Sequence, residues 1–465
     1  MRARSEQILA LMCALTTAVS AQEAVGPGRE GGGGSRCLFE FENRPTTAVS
    51  SMRQPSGEYN SFVSGGVVAH CRSQQITLVA DSLEYYGDSR LLYLIGAVHY
   101  TEPRLDLRSQ RLTYWMTEER LHAEGDVDAT LPNGTKLLGP STEYYRAVPA
   151  LRPRARMIAP GRPTITVVQR DSAGSVSEPM TVVANTVVME GDSLVFASGR
   201  VEITRTDVIA RSDSAALDNG REWARLVGRP VIEGKGDRAF TLSGSMIDLF
   251  ARSRLLERVF TVGSAKVVSE DVTLTSDSLD MRLADRVLQS AQAWGSSRAR
   301  AFSPRYDIVA DSLDVRMPGQ RLKEVHAVRD AHAQSVPDTL KVRTTERDWL
   351  RGDTVVAYFD SVATDTIAKQ PDINRLDALG SARSYYQMAP RDSTAAAPAI
   401  NYVRGRNITI AFVSQTVDRV TVVDEASGVF VEPTPVGVVR PTPQRTPAAR
   451  PTRDASITQP ARSPP

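Results

Sequence analysis

The sequence predicts an all-β protein, elongated and built from stacked antiparallel β-repeats. Three observations predict it. The first is a succession of short alternating apolar runs separated by Gly, Asp, Ser or Pro, a pattern of strands and turns rather than helices. In Leu92-Tyr93-Leu94-Ile95-Gly96-Ala97-Val98-His99-Tyr100, residues 92, 94, 98 and 100 share one face, as in a strand with one apolar side. The second is internal repetition. Displaced by 29 residues, the segment 76–98 lands on itself: Ile76 on Leu105, Leu78 on Leu107, Leu83 on Leu112, Tyr85 on Tyr114, Leu92 on Leu121, Gly96 on Gly125 and Val98 on Val127. A further shift of 30 carries Leu107 to Leu137 and Tyr114 to Tyr144. The matched positions keep one parity within each strand, so they form one inward face.

The third observation is a repeated grammar. A small–polar–Ser/Thr–apolar start recurs as Ala80-Asp81-Ser82-Leu83, Ala184-Asn185-Thr186-Val187, Ser212-Asp213-Ser214-Ala215, Ser276-Asp277-Ser278-Leu279 and Ala310-Asp311-Ser312-Leu313, with a degenerate copy at Gly352-Asp353-Thr354-Val355. A glycine follows in most copies, at 96, 125, 199, 228, 263 and 295, often with a β-branched residue two positions on. Asp and Ser bond their own backbone at corners, and Gly allows a strand to bend. One such unit cannot bury its own apolar face, so units must stack.

The elements follow in chain order. Residues 1–21 read as a secretory signal peptide: Arg2 and Arg4, an apolar run from Ile8 to Val19, then Val19-Ser20-Ala21 with cleavage after Ala21. The run is shorter than the roughly 20 residues a membrane span requires. Acylation of Cys13 is disfavoured because Met12 before it is not small. Residues 22–35 end in Gly31-Gly32-Gly33-Gly34-Ser35, a flexible linker. A first β unit spans 36–148 and a second, longer one 164–432. The break between them is placed at 146–163, which holds Pro149, Pro153, Pro160, Gly161 and Pro163. Residues 433–465 carry nine prolines and form a tail that cannot bury a core.

Two cysteines remain after cleavage, Cys37 and Cys71. In an exported chain they are expected to form one disulfide, pinning the first strand to the body.

Ala80-Asp81-Ser82-Leu83-Glu84-Tyr85, followed by Ile95-Gly96-Ala97-Val98, resembles the OstA/LptA family of lipopolysaccharide-transport proteins. The resemblance is closest over 76–145 and weaker to about 430, through Asn401-Tyr402-Val403-Arg404-Gly405-Arg406-Asn407-Ile408 and Gly428-Val429-Phe430. It implies a β-jellyroll, two antiparallel sheets in a V whose apolar groove carries the acyl chains of lipopolysaccharide or a related glycolipid. It also implies a periplasmic, outer-membrane-directed role. The implied partners are other jellyroll proteins stacked through strand edges, an outer-membrane assembly protein and further copies of the chain. The chain departs from the family in being far longer than one jellyroll of the bridge type, and in lacking a barrel-like region. Only the inward face can be carried over: Leu78, Leu83, Tyr85, Leu92, Leu94, Val98, Leu107, Leu112, Tyr114, Leu121, Val127 and Leu137 are the expected groove-lining residues. The carboxyl-terminal edge is expected around Ile408 and Thr409.

The residues argue against catalysis and against a cofactor. The five histidines (70, 99, 122, 326 and 332) lack metal-ligand spacing. There is no Gly-x-Ser-x-Gly elbow and no phosphate-cradling glycine loop before a helix. The Asp-Ser pairs recur with the repeat, whereas a catalytic pair should occur once. A carbohydrate-active enzyme would need a unique carboxylate pair, and none stands out. A formal net charge of +2 gives no basis for nucleic-acid binding. The other reading is a structural envelope scaffold that binds no lipid, since stacking units and open edges fit it equally.

Overall fold

The computed structural model describes residues 39–433 except 43, 149–150, 169–178, 207, 236–238, 254, 270–271, 286, 338–341, 343, 361–372, 391–396 and 414–415. The expected signal peptide and linker, Cys37 and the residues from 434 onward lie outside the described residues. The expected all-β class is what the chain adopts. Thirty strands are joined in one antiparallel hydrogen-bonded ladder, and one 3-10 turn at Pro318–Gln320 is the sole helical element among the described residues.

The ladder is folded into two facing walls. The long strands cross from one wall to the other and bend midway. Leu91–Glu102 is an example: residues 91–95 pair with Ser82–Tyr86, and residues 99–101 pair with Ile76–Ala80. Its partner strand Leu105–Trp115 follows it through the bend with a register shift between Ile95 and Val98. The same shift recurs between Ser198 and Val201, Val262 and Ala265, and Leu379 and Ala382. Pairing runs unbroken along both walls. It continues through the proline-rich stretch, where Arg156–Pro160 bridges Lys136–Tyr145 and Thr186–Glu190, and Thr164–Val167 bridges Lys136–Tyr145 and Met180–Val183.

The bend has a specific chemistry. At six corners two successive residues take left-handed backbone: Gly96 and Ala97, Gly125 and Asp126, Gly199 and Arg200, Gly228 and Arg229, Gly263 and Ser264, Gly380 and Ser381. Glycine takes this conformation without strain, which explains its recurrence at the first position. At Arg329-Asp330 the same pair occurs without glycine. The polar residue of the repeat motif lies across the neighbouring strand's glycine: Asp81 over Gly96, Asn185 over Gly199, Asp213 over Gly228, Asp277 over Gly295 and Asp353 over Gly380. A Cβ on Gly228 would stand 2.6 Å from Asp213 Cβ. Backbone amides complete the joint, Asp81 N–H donating to Gly96 O at 2.9 Å and Asp213 N–H to Gly228 O at 3.1 Å.

Corner aspartates were expected to bond their own backbone, and this expectation is only half met. The serine before the corner does so: Ser212 Oγ donates to Ser214 O at 2.9 Å, and Ser276 Oγ to Ser278 O at 2.7 Å. The aspartate reaches to the next strand instead. Asp277 accepts from Ser297 N–H and Ser296 Oγ there, and these bonds hold its carboxyl at about 2.

The inward residues of both walls form one apolar cluster running from Val63 to Ile410. No sheet face can be sealed by itself, and the described residues provide no helix to cover it. The walls therefore cover each other, as in a sheet sandwich. The amino-terminal edges are Glu40–Phe41 on one wall and Ala48–Arg53 on the other. The strand holding Ile408 and Thr409, Ala399–Val413, is not the edge that the sequence suggested. It is flanked on its outer side by Thr416–Val423 and Ser427–Val431, which are the outermost strands. A hairpin folds back where sequence reading saw one closing segment.

Candidate functional site

The candidate site is the space between the walls. The 29-residue register brings the expected inward residues together there. Leu78, Leu83, Leu92, Leu94, Val98, Leu107, Leu112, Tyr114, Leu121, Val127 and Leu137 are all exposed by 1% or less, and Tyr85 is half-buried against the same core. In these amino-terminal rungs the interior is filled by the opposing leucines and tyrosines.

A polar lock closes the side of these rungs opposite the corner, and sequence reading missed it. Arg146 lies at its centre. Its Nε donates to Glu102 Oε2 at 2.6 Å, and its Nη1 to Glu119 Oε2 and Gln74 Oε1, each at 2.6 Å. Glu102 and Gln74 lie at the end of one wall and Glu119 at the end of the other, so one guanidinium ties both walls together. Three tyrosines complete the cluster: Tyr144 and Tyr100 donate to Glu102 at 2.7 and 3.1 Å, and Tyr114 donates to Glu119 at 2.6 Å. Burial above all, then the adjacent carboxylates, pushes these phenols up, so they stay protonated donors. The one available signal was parity: Glu102 follows Val98 and Tyr100 on the inward face, where a carboxylate needs partners.

Along the chain the interior changes. One position, second from the corner, can be followed from rung to rung. Through Leu78, Tyr100, Leu107, Ala129, Leu137, Ile165 and Val182 it is sealed. Further on, Ala210, Ile232, Leu274, Ile308 and Ala333 are reached by solvent, at 5 to 9% exposure, with sealed Leu242 between them. The opposite wall does the same, from sealed Leu92, Tyr114 and Leu121 to Leu217, Met281, Ala291 and Val325 at 5 to 8%. The row beside the corner is closed at Leu279, Ala293, Ala299, Ala310, Leu313 and Ala378, each 1% exposed or less. The later rungs thus open away from the corner. Alanine stands at three of these positions, Ala210, Ala291 and Ala333, and a methyl group fills less of the roughly 10 Å between packed sheets.

No family model matches the chain, and no curated protein matches it. A solved structure is similar over part of the chain. It is the crystal structure of LptH, the LptA homologous periplasmic component of the conserved lipopolysaccharide transport device from Pseudomonas aeruginosa. The likeness covers 27% of this chain and 94% of that one, at 20% identity and a TM-score of 0.23.

Other expected features take ordinary places. His70, His99, His122 and His326 each bond one carboxylate, of Glu42, Asp106, Glu124 and Glu324 respectively. The described residues hold no cluster of three potential metal ligands. Cys71 is fully buried and disulfide-bonded, while its expected partner Cys37 lies outside the described residues.

Proposed function

We propose that the protein is an exported, periplasmic lipid carrier that holds the acyl chains of lipopolysaccharide or a related glycolipid between its walls, without catalysis. The observation that carries this reading is the apolar interior that opens away from a closed corner along the later rungs, from about residue 201 to 335. The resemblance of the repeat motif to the OstA/LptA family supports it. Each methylene taken from water contributes about 0.8 kcal/mol, so a few acyl chains suffice for retention. The later rungs would carry the chain first. The sequence-derived stripe from Leu78 to Leu137 would admit lipid only with the Arg146 lock open.

The filled amino-terminal rungs favour a second reading for that part, a scaffold that binds no lipid. One experiment separates the two. A photo-crosslinking residue is placed at Ile308, Ala333, Leu94 or Leu112 in the exported chain, and lipid is extracted and analysed by mass spectrometry. Carriage gives glycolipid adducts at Ile308 and Ala333. Absence of co-purified lipid together with absence of adducts at all four positions sinks carriage and leaves the scaffold.

A further inference from the structure

The outer face of one wall carries two adjoining cross-strand rows near the carboxyl-terminal end. Arg351, Arg383 and Arg404 stand directly opposite one another on three consecutive strands, Asp348–Phe359, Ile373–Met388 and Ala399–Val413. Two positions along, Trp349, Tyr385 and Tyr402 form a second row in the same register. Leu350 and Ser384, which lie between the rows, point into the interior and are buried, so both rows face outward.

The arginine row runs against ordinary pairing. Like charges directly opposite each other on a sheet are destabilising. Elsewhere on these walls arginines are neutralised: Arg211 sits between Glu202 and Glu233, Arg225 on Asp248 and Arg258 on Asp280. Arg351, Arg383 and Arg404 are exposed and have no carboxylate partner among the described residues. Arg351 lies over the Trp349 ring at 5.1 Å, and Arg404 Nε donates to Ser427 Oγ at 2.7 Å. Their forks remain available to an anion.

The aromatic row is a preformed platform. Trp349 stacks on Tyr385 with centroids 6.0 Å apart and planes at 12°, and Tyr402 meets the Trp349 ring at 6.2 Å and 67°. Tyr385 also borders a shallow, open depression with Glu346, Gln387, Thr344 and Ile400. There the Tyr385 hydroxyl donates to Glu346 Oε2 at 2.8 Å, and Gln387 Nε2 donates to Glu346 O at 3.0 Å. Flat aromatic faces accept the C–H face of a sugar ring, exposed Thr345 and Glu346 offer hydroxyl and carboxylate groups for sugar hydroxyls, and the arginines supply positive charge beside them.

We propose that this outer face is a binding site for an anionic glycan, a sugar chain bearing phosphate or carboxylate groups. The aromatic row takes the ring faces and the arginine row takes the charges. Glycan capture here is independent of whether lipid occupies the interior.

The test uses the whole chain and six probes: mannopentaose phosphate and tetragalacturonate, the controls neutral mannopentaose and inorganic phosphate, and phosphatidylglycerol vesicles and a glutamate octapeptide. Calorimetry should show both acidic oligosaccharides binding at least about tenfold more tightly than either control. The variant R351Q/R383Q/R404Q should abolish that preference, and its exposed positions leave the circular dichroism spectrum unchanged. Trp349→Leu or Tyr402→Leu should weaken the oligosaccharides several-fold and leave phosphate binding unaltered. Failure to bind either acidic oligosaccharide at millimolar concentration overturns the proposal. So does equal binding of inorganic phosphate, of phosphatidylglycerol vesicles or of a glutamate octapeptide, which would assign the row to a bare anion, a membrane surface or an acidic protein segment.

Discussion

The Asp81 side chain lies directly across Gly96 of the neighbouring strand, leaving no room there for a Cβ atom. Gly96 also has φ +79, and the Asp81 amide donates to its carbonyl. Conformation, space and hydrogen bonding thus converge at one joint.

Gly96→Ala should therefore destabilise the protein by about 2–3 kcal/mol, combining left-handed strain with the clash. Urea unfolding followed by circular dichroism measures it. Adding Asp81→Gly should return part of the loss. An unchanged midpoint for Gly96→Ala would remove the joint's structural importance.

Arg146→Met leaves Glu102 and Glu119 without their shared cation. The expected cost is about 3–5 kcal/mol, as for a buried pair that loses one partner. Glu102→Gln in the same chain should recover part of it, and a double-mutant cycle reads the coupling. Additive losses would show that the two residues act separately.

Asp348 is buried, and burial raises its carboxyl from 3.8 to about 6, against the opposing hydrogen bonds from Gln387. A raised folded pKa contributes stability that is full below about pH 4 and lost as pH climbs through 6. Wild type should be less stable at pH 7 than at pH 4 by on the order of 3 kcal/mol from this group. Asp348→Asn should flatten that part of the pH profile in thermal melts from pH 4 to 7. An identical profile in the variant would rule out Asp348 as its source.

If Cys71 pairs with Cys37, thiol labelling of the unreduced chain should find neither cysteine reactive. Cys71→Ser should then cost about 2–4 kcal/mol. Labelling at both positions would discard the pairing.

Self-association through strand edges should depend on Ser427–Val431, whose Val429, Phe430 and Val431 are all exposed. A lysine blunts such an edge. Phe430→Lys should lower the sedimentation coefficient of any oligomer without lowering the melting temperature. An unchanged oligomer would exclude this strand from the contact.

The fold was legible because its grammar is local. Leu78, Leu107 and Leu137 recur in register, and parity alone places them inside. Gly96, Gly125 and Gly199 mark corners because both the backbone conformation and the side chain lying across them exclude a Cβ. What escaped the sequence depends on strands meeting at a distance. Arg146 joins Gln74, Glu102 and Glu119 from separate turns, and the break expected around it hid its role. Arg351, Arg383 and Arg404 have no common spacing, so their alignment exists only in the register. The opening of the later rungs shows only in how far solvent reaches the inward residues, which the alternation of apolar residues does not encode.

The corner joints make length additive. Each wall carries some twenty strands at roughly 4.8 Å, so the molecule extends about 100 Å end to end. Each strand is positioned by its immediate neighbours, and at five joints through a glycine on one strand and a polar residue on the other. A chain with two strands removed would be a shorter rod of the same cross-section, by about 10 Å. The number of repeats is then a ruler, and the distance between the molecule's two ends is written in units of one hairpin.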